Sequence, residues 1–98
     1  IRAASQVKIS QTVSDYIAQV LENSRASKFE GAQPLSTRAG MALVRAAKAW
    51  AFLEGRDFVR HEDVQSLIVP VFGHRLGGAF GIKKGREWAQ QLLLNTPV

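Results

Sequence analysis

Apolar residues recur along this chain at helical spacing, separated by short polar stretches. Val13, Tyr16, Ile17, Val20 and Leu21 fall at i, i+3, i+4, i+7 and i+8, which lays them along one face of an α-helix. Ser10 is a good N-cap, so a helix is predicted over 10–24. The longest helical stretch follows Pro34, where Ser36 or Thr37 can accept a bond from a free N–H of the first turn. It runs through many alanines and no proline to Gly55, which can take the left-handed conformation that ends a helix. Ala39, Leu43, Ala46, Ala47, Trp50 and Leu53 share one side, and Arg38, Arg45 and Lys48 gather on another. Small residues from Ala39 to Ala49 would admit close neighbours, with Leu43 and Trp50 as buried knobs. A buried Trp50 would cost about 3 to 5 kcal/mol to truncate.

The loop over 25–34 is polar and contains Gly31 and Pro34. Residues 56–59 read as a short extended link, with Phe58 and Val59 plugging the core. A third helix is expected from His61, its dipole complemented by Glu62 and Asp63 and its buried stripe formed by Val64, Leu67, Ile68 and Val71. Pro70 is expected to kink or divide it and to start a short turn through Val71 and Phe72. Gly73, Gly77, Gly78, Gly81 and Gly85 then read as a flexible basic loop or small hairpin carrying the solvated Lys83 and Lys84. A last helix is predicted over 86–94, with Trp88, Leu92 and Leu93 inward and Asn95 and Pro97 closing it. The fold expected is all-α, a small bundle of four main helices with a glycine-rich loop before the last.

Composition narrows the picture modestly. Ninety-eight residues, 46% of them hydrophobic, suffice for one domain with a modest core. A net charge of +5 and a pI near 10.3 suit an anionic partner without choosing among nucleotide, nucleic acid and membrane surface. Without cysteine there is no disulfide, thiolate nucleophile or cysteine-based zinc site. No apolar run approaches the roughly 18 to 20 residues of a membrane span, and the first ten residues do not read as a signal peptide. A soluble, cytoplasmic protein is expected, and a start at Ile1 reads as a fragment or processed piece.

Candidate chemistry centres on Arg38, in the first turn of the long helix. Helix starts favour anions, and a guanidinium can bind phosphate through two parallel bonds. The competing reading is a solvated surface arginine. Other chemistry is poorly supported. His61-Glu-Asp-Val-Gln65 misses the zinc motif His-Glu-x-x-His at its second imidazole, so no metal site is expected. Lys83 and Lys84 precede Gly85 rather than Ser or Thr, and no preceding glycine is placed for a P-loop. Two histidines without an aligned serine assemble no catalytic triad.

The segment PLSTRAGMALVRAAKAWAFLEGRDFVRHEDVQSLIVPVFGHRL resembles the C-terminal helical lid of MoxR-type ATPases, a branch of the AAA+ superfamily. The matching features are Ser36 to Arg38, Gly55 to Val59, Glu62 to Val64, and His74 with Arg75, in order and spacing; the likeness extends over about 10–76. The resemblance implies that 1–9 is a connector from a preceding ATPase core and 10–98 the lid. It makes Arg38 the sensor 2 arginine, which reaches the nucleotide phosphates, with Ser36 and Thr37 beside it. Tyr16 is either core packing or part of the wall against the adenine. Arg45, His74 and Arg75 are candidates for nucleotide or subunit contact, and the last two could instead tie the lid together. The implied cofactor is ATP, with Mg2+ held by the core domain, and the implied assembly is a homo-oligomeric ring, expected to be a hexamer. Chaperone-like maturation or metal-cofactor insertion, with a von Willebrand factor A domain partner, is the family's activity. The chain itself lacks the P-loop lysine and acidic magnesium site that phosphoryl transfer requires, so it is not expected to hydrolyse ATP alone.

A second class fits the same periodicity. Three helices followed by a basic hairpin could form a winged-helix DNA-binding module, with 61–69 as recognition helix and Lys83, Lys84 and Arg86 on the wing. Glu62 and Asp63 at the start of that helix would face phosphates and argue against it.

Overall fold

A computed structural model describes residues 6–25 and 35–98. Among them are four α-helices: α1 (Gln11–Asn23), α2 (Thr37–Leu53), α3 (His61–Gly77) and α4 (Ile82–Leu94). The expected all-α bundle of four main helices is what forms. Of the predicted loop over 25–34, residues 26–34 lie outside the described residues.

The first two helix starts follow the local chemistry. Ser10 Oγ accepts from the Val13 N–H and Ser36 Oγ from the Ala39 N–H, each at 3.3 Å. Helix α2 ends as Gly55 turns to φ +77°, and the Arg56 N–H reaches back to the Ala51 carbonyl at 2.9 Å. Arg60, a poor cap by type, is served from inside the helix: Asp63 accepts its backbone N–H at 2.8 Å. Val7 is buried, and a single parallel β-bridge joins Lys8 to Phe58 through Lys8 N–H to Asp57 O and Val59 N–H to Lys8 O.

Three expectations need correction. Pro70 does not divide α3, which continues through it to Gly77. The ring removes one helical donor, but Pro70 and Ser66 one turn before it are both exposed, so the freed carbonyl lies on the solvent side. The glycine-rich stretch is neither loop nor hairpin. Gly73 and Gly77 lie inside α3, residues 78–80 form a 3₁₀ turn, and α4 starts at Ile82, four residues earlier than predicted. A Cβ on Gly85 would overlap the Gly73 carbonyl oxygen and sit 2.7 Å from the Gly77 nitrogen. These glycines therefore let α3 and α4 cross backbone against backbone.

The third correction concerns α2. Ala39, Leu43, Ala47 and Ala51 form its buried line, whereas Trp50 is 45% and Leu53 78% exposed. Burial follows i+4 steps, so by the last turn the contact has rotated about 100° away from Trp50. Phe58 is likewise half-exposed, and Val59 alone plugs the core there. The centre is filled by Val20, Leu43, Val64, Ile68, Phe72, Leu76 and Leu92, each fully enclosed. Phe72 belongs to this set because the uninterrupted α3 carries it one turn beyond Ile68.

Candidate nucleotide-contact site

Arg38 is the second residue of α2, exposed, one residue before the buried line that starts at Ala39. Ser36 commits its hydroxyl to the Ala39 N–H. The N–H groups of Thr37 and Arg38 meet no acceptor among the described residues, and the Arg38 guanidinium meets no carboxylate there. No acidic residue lies in this first turn. Two free N–H groups and a planar cation on one helix start suit an oxyanion such as a phosphate.

The neighbouring turn uses its arginine differently. Arg56 donates to both carboxylate oxygens of Asp63 at 2.7 and 2.8 Å, and to Glu54 at 3.4 Å. Asp63 is only 2% exposed. Burial pushes its carboxyl up, but the Arg56 bonds, the Arg60 N–H and the charges of both arginines outweigh this and hold its pKa below the usual carboxylate range. The Asp63 hydrogen bond is the main force raising the Arg56 pKa in return. The sequence reading missed this clamp; its only signal was an acid at the third helical position of α3, facing back toward the Gly55-Arg56 turn.

Tyr16 is 7% exposed, its ring edge 5.6 Å from His61, and its hydroxyl donates to the Thr96 carbonyl at 2.6 Å. Burial pushes this hydroxyl's pKa up, opposed by a bond with Gln65. Asn23 adds a bond to Thr96 Oγ1 at 2.9 Å, so the end of the chain is latched onto α1. The ring packs within the core, which is one of the two readings given for it. Arg45 and Arg75 are exposed, on α2 and near the end of α3, and neither is hydrogen-bonded to Ser36, Thr37 or Arg38. His74 lies on α3.

Comparison with known proteins agrees with this architecture. The family model described as AAA lid domain matches residues 30–91. The chain belongs to that family, and so is the lid of an AAA+ ATPase. Within it the chain is of the MoxR type: it is similar to Protein MoxR of Paracoccus denitrificans, 48% identical over 42 residues covering 43% of this chain and 12% of that protein. It is also 31% identical to uncharacterized protein YeaC of Bacillus subtilis (strain 168), over 77 residues covering 76% of this chain and 23% of that protein. The chain thus spans less than a quarter of the length of either relative. No solved structure matches. The hairpin that a winged helix needs is helix and 3₁₀ turn here, so that alternative loses its wing.

Proposed function

We propose that this lid closes over ATP held by an ATPase core domain that the connector 1–9 joins to it, with Arg38 as the sensor 2 residue contacting the phosphates. The observation that carries the reading is an exposed guanidinium beside two free N–H groups, with no acid among the described residues to occupy it. Ser36 and Thr37 shape the helix start, Tyr16 supports α1 from inside the core, and Mg2+ is held by the core domain. A charge-assisted bond contributes about 1.5 to 3 kcal/mol, enough to shift an open–closed equilibrium roughly ten- to a hundredfold. In a hexameric cytoplasmic ring, closure would move each subunit against the next, with Arg45, His74 and Arg75 available for nucleotide or subunit contact. The work so driven would be chaperone-like maturation or metal-cofactor insertion, together with a von Willebrand factor A domain partner.

Arginine modification tests this in the intact protein. Phenylglyoxal labelling of the peptide containing Arg38 should slow in the presence of an ATP analogue and slow less with ADP. Equal labelling with and without nucleotide would contradict the reading.

A further inference from the structure

Exposed apolar and basic side chains meet where α3 turns into α4. Phe80 is 64% and Ile82 56% exposed, and they flank Gly81, which turns at φ +90°. Phe80 is held in place by Trp88, edge against face with ring centroids 5.6 Å apart. Lys83 and Arg86 follow on α4, both exposed, within about 100° of Ile82 around the helix and about 6 Å along it. Neither has an ion-pair partner among the described residues. Lys84 between them is engaged, 3.7 Å from Glu87 and 5.1 Å from the Trp88 ring. The first turn of α4 holds no acid. Cations at a helix start oppose its dipole, and apolar side chains left in water gain nothing from folding, so neither feature stabilises the fold.

We infer that the α3–α4 turn is a small anchor for an anionic lipid surface. Phe80 and Ile82 enter the boundary between headgroups and acyl chains, and Lys83 and Arg86 pair with the lipid phosphates above them. Charge complementarity and shape together select this occupant. Two unpaired cations call for anions, and a second copy of the chain would bring the same cations and be repelled. A nucleic-acid backbone supplies phosphates but leaves Phe80 and Ile82 in water. An acidic protein would need a fitted socket for each protruding side chain. A bilayer interface needs none, because its apolar depth lies directly beneath its phosphates. The stems of Lys83 and Arg86 can lie along the apolar side while their charged ends stay among the headgroups. Two cations and two apolar side chains make a weak, reversible attachment. It is not a span, since no helix among the described residues is long and apolar enough to cross a membrane. None of these residues belongs to the Arg38 site, so the inference stands apart from the nucleotide reading.

Vesicle flotation of the purified intact protein tests this. Vesicles of equal parts phosphatidylglycerol and phosphatidylcholine should carry at least about fivefold more protein than phosphatidylcholine alone, and raising salt from about 0.05 to about 0.5 M should remove most of that excess. Phe80→Ser and Ile82→Ser should each lower binding to the anionic vesicles about threefold or more. Lys83→Glu should abolish the excess while thermal stability stays equal or rises, since an acid suits the start of α4. That pairing separates a lost anchor from a damaged fold. Equal binding to both kinds of vesicle would overturn the proposal, as would anionic binding that Phe80→Ser and Ile82→Ser both leave intact. So would release by inorganic phosphate beyond that caused by sodium chloride at equal ionic strength, which marks a free-anion site, or tighter retention on duplex DNA at equal phosphate. Loss of ATP turnover in Lys83→Glu without lipid would place the turn against protein and overturn it as well.

Discussion

Gly40 on α2 and Gly85 on α4 are both buried helical glycines, yet they meet different neighbours. At Gly85 an added methyl would collide with the backbone of Gly73 and Gly77, whereas at Gly40 it would meet the end of the Leu21 side chain at 2.8 Å. Backbone cannot retreat without moving a helix, and a leucine terminus can rotate. The α3–α4 crossing is therefore a fixed joint, while the start of α2, where Arg38 sits, is held against α1 by side chains that can give. On the function proposed above, a lid that holds its shape and still seats Arg38 on a ligand benefits from this division.

Substitutions can break or sharpen that contrast. Gly85→Ala should have the largest effect, a loss above about 4 kcal/mol, because it forces α3 and α4 apart; urea denaturation would show little folded protein. Asp63→Asn should cost about 2 kcal/mol by leaving the Arg56 fork without its buried anion. Its pH signature is separate. Asp63 is held below its ordinary pKa, so the unfolded state binds the proton first as pH falls, and the stabilisation is full above about pH 4 and lost below it. Melts from pH 7 down to pH 2 should show this loss in the native chain and not in Asp63→Asn.

Gly40→Ala should change stability by less than about 1 kcal/mol, since the helix-propensity gain of alanine offsets the displacement of Leu21. A loss as large as that of Gly85→Ala would erase the contrast. Trp50→Ala should likewise cost no more than about 1 kcal/mol, because the side chain is 45% exposed.

The same contrast explains what was legible in the sequence. Ser10, Ser36 and Gly55 announce helix ends through local chemistry, and α1 follows its periodicity closely, whereas α2 follows it only as far as Ala47. Gly73, Gly77 and Gly85 carry no such local message, because a glycine needed for close approach looks like a glycine needed for a turn until the second helix is placed. Gly78 and Gly81, at φ +50° and +90°, are turn glycines in the same stretch. Pro70 was misread since its penalty depends on which side of α3 faces water. Trp50 was assigned inward because a straight stripe ignores the angle at which the neighbouring helix crosses. At the site, the position of Arg38 on a helix start was readable; the Arg56–Asp63 clamp and the Tyr16–Thr96 latch required pairing residues 7 and 80 positions apart.

The central claim is that Arg38 belongs to a ligand and not to the fold. The direct measurement is Arg38→Ala in the intact protein, with thermal stability, ATP affinity and ATP turnover taken from one preparation. Stability within about 0.5 kcal/mol of the unsubstituted protein is predicted, together with a loss of at least about tenfold in affinity or turnover. Unchanged affinity and turnover, or a fold that collapses without the guanidinium, would contradict it.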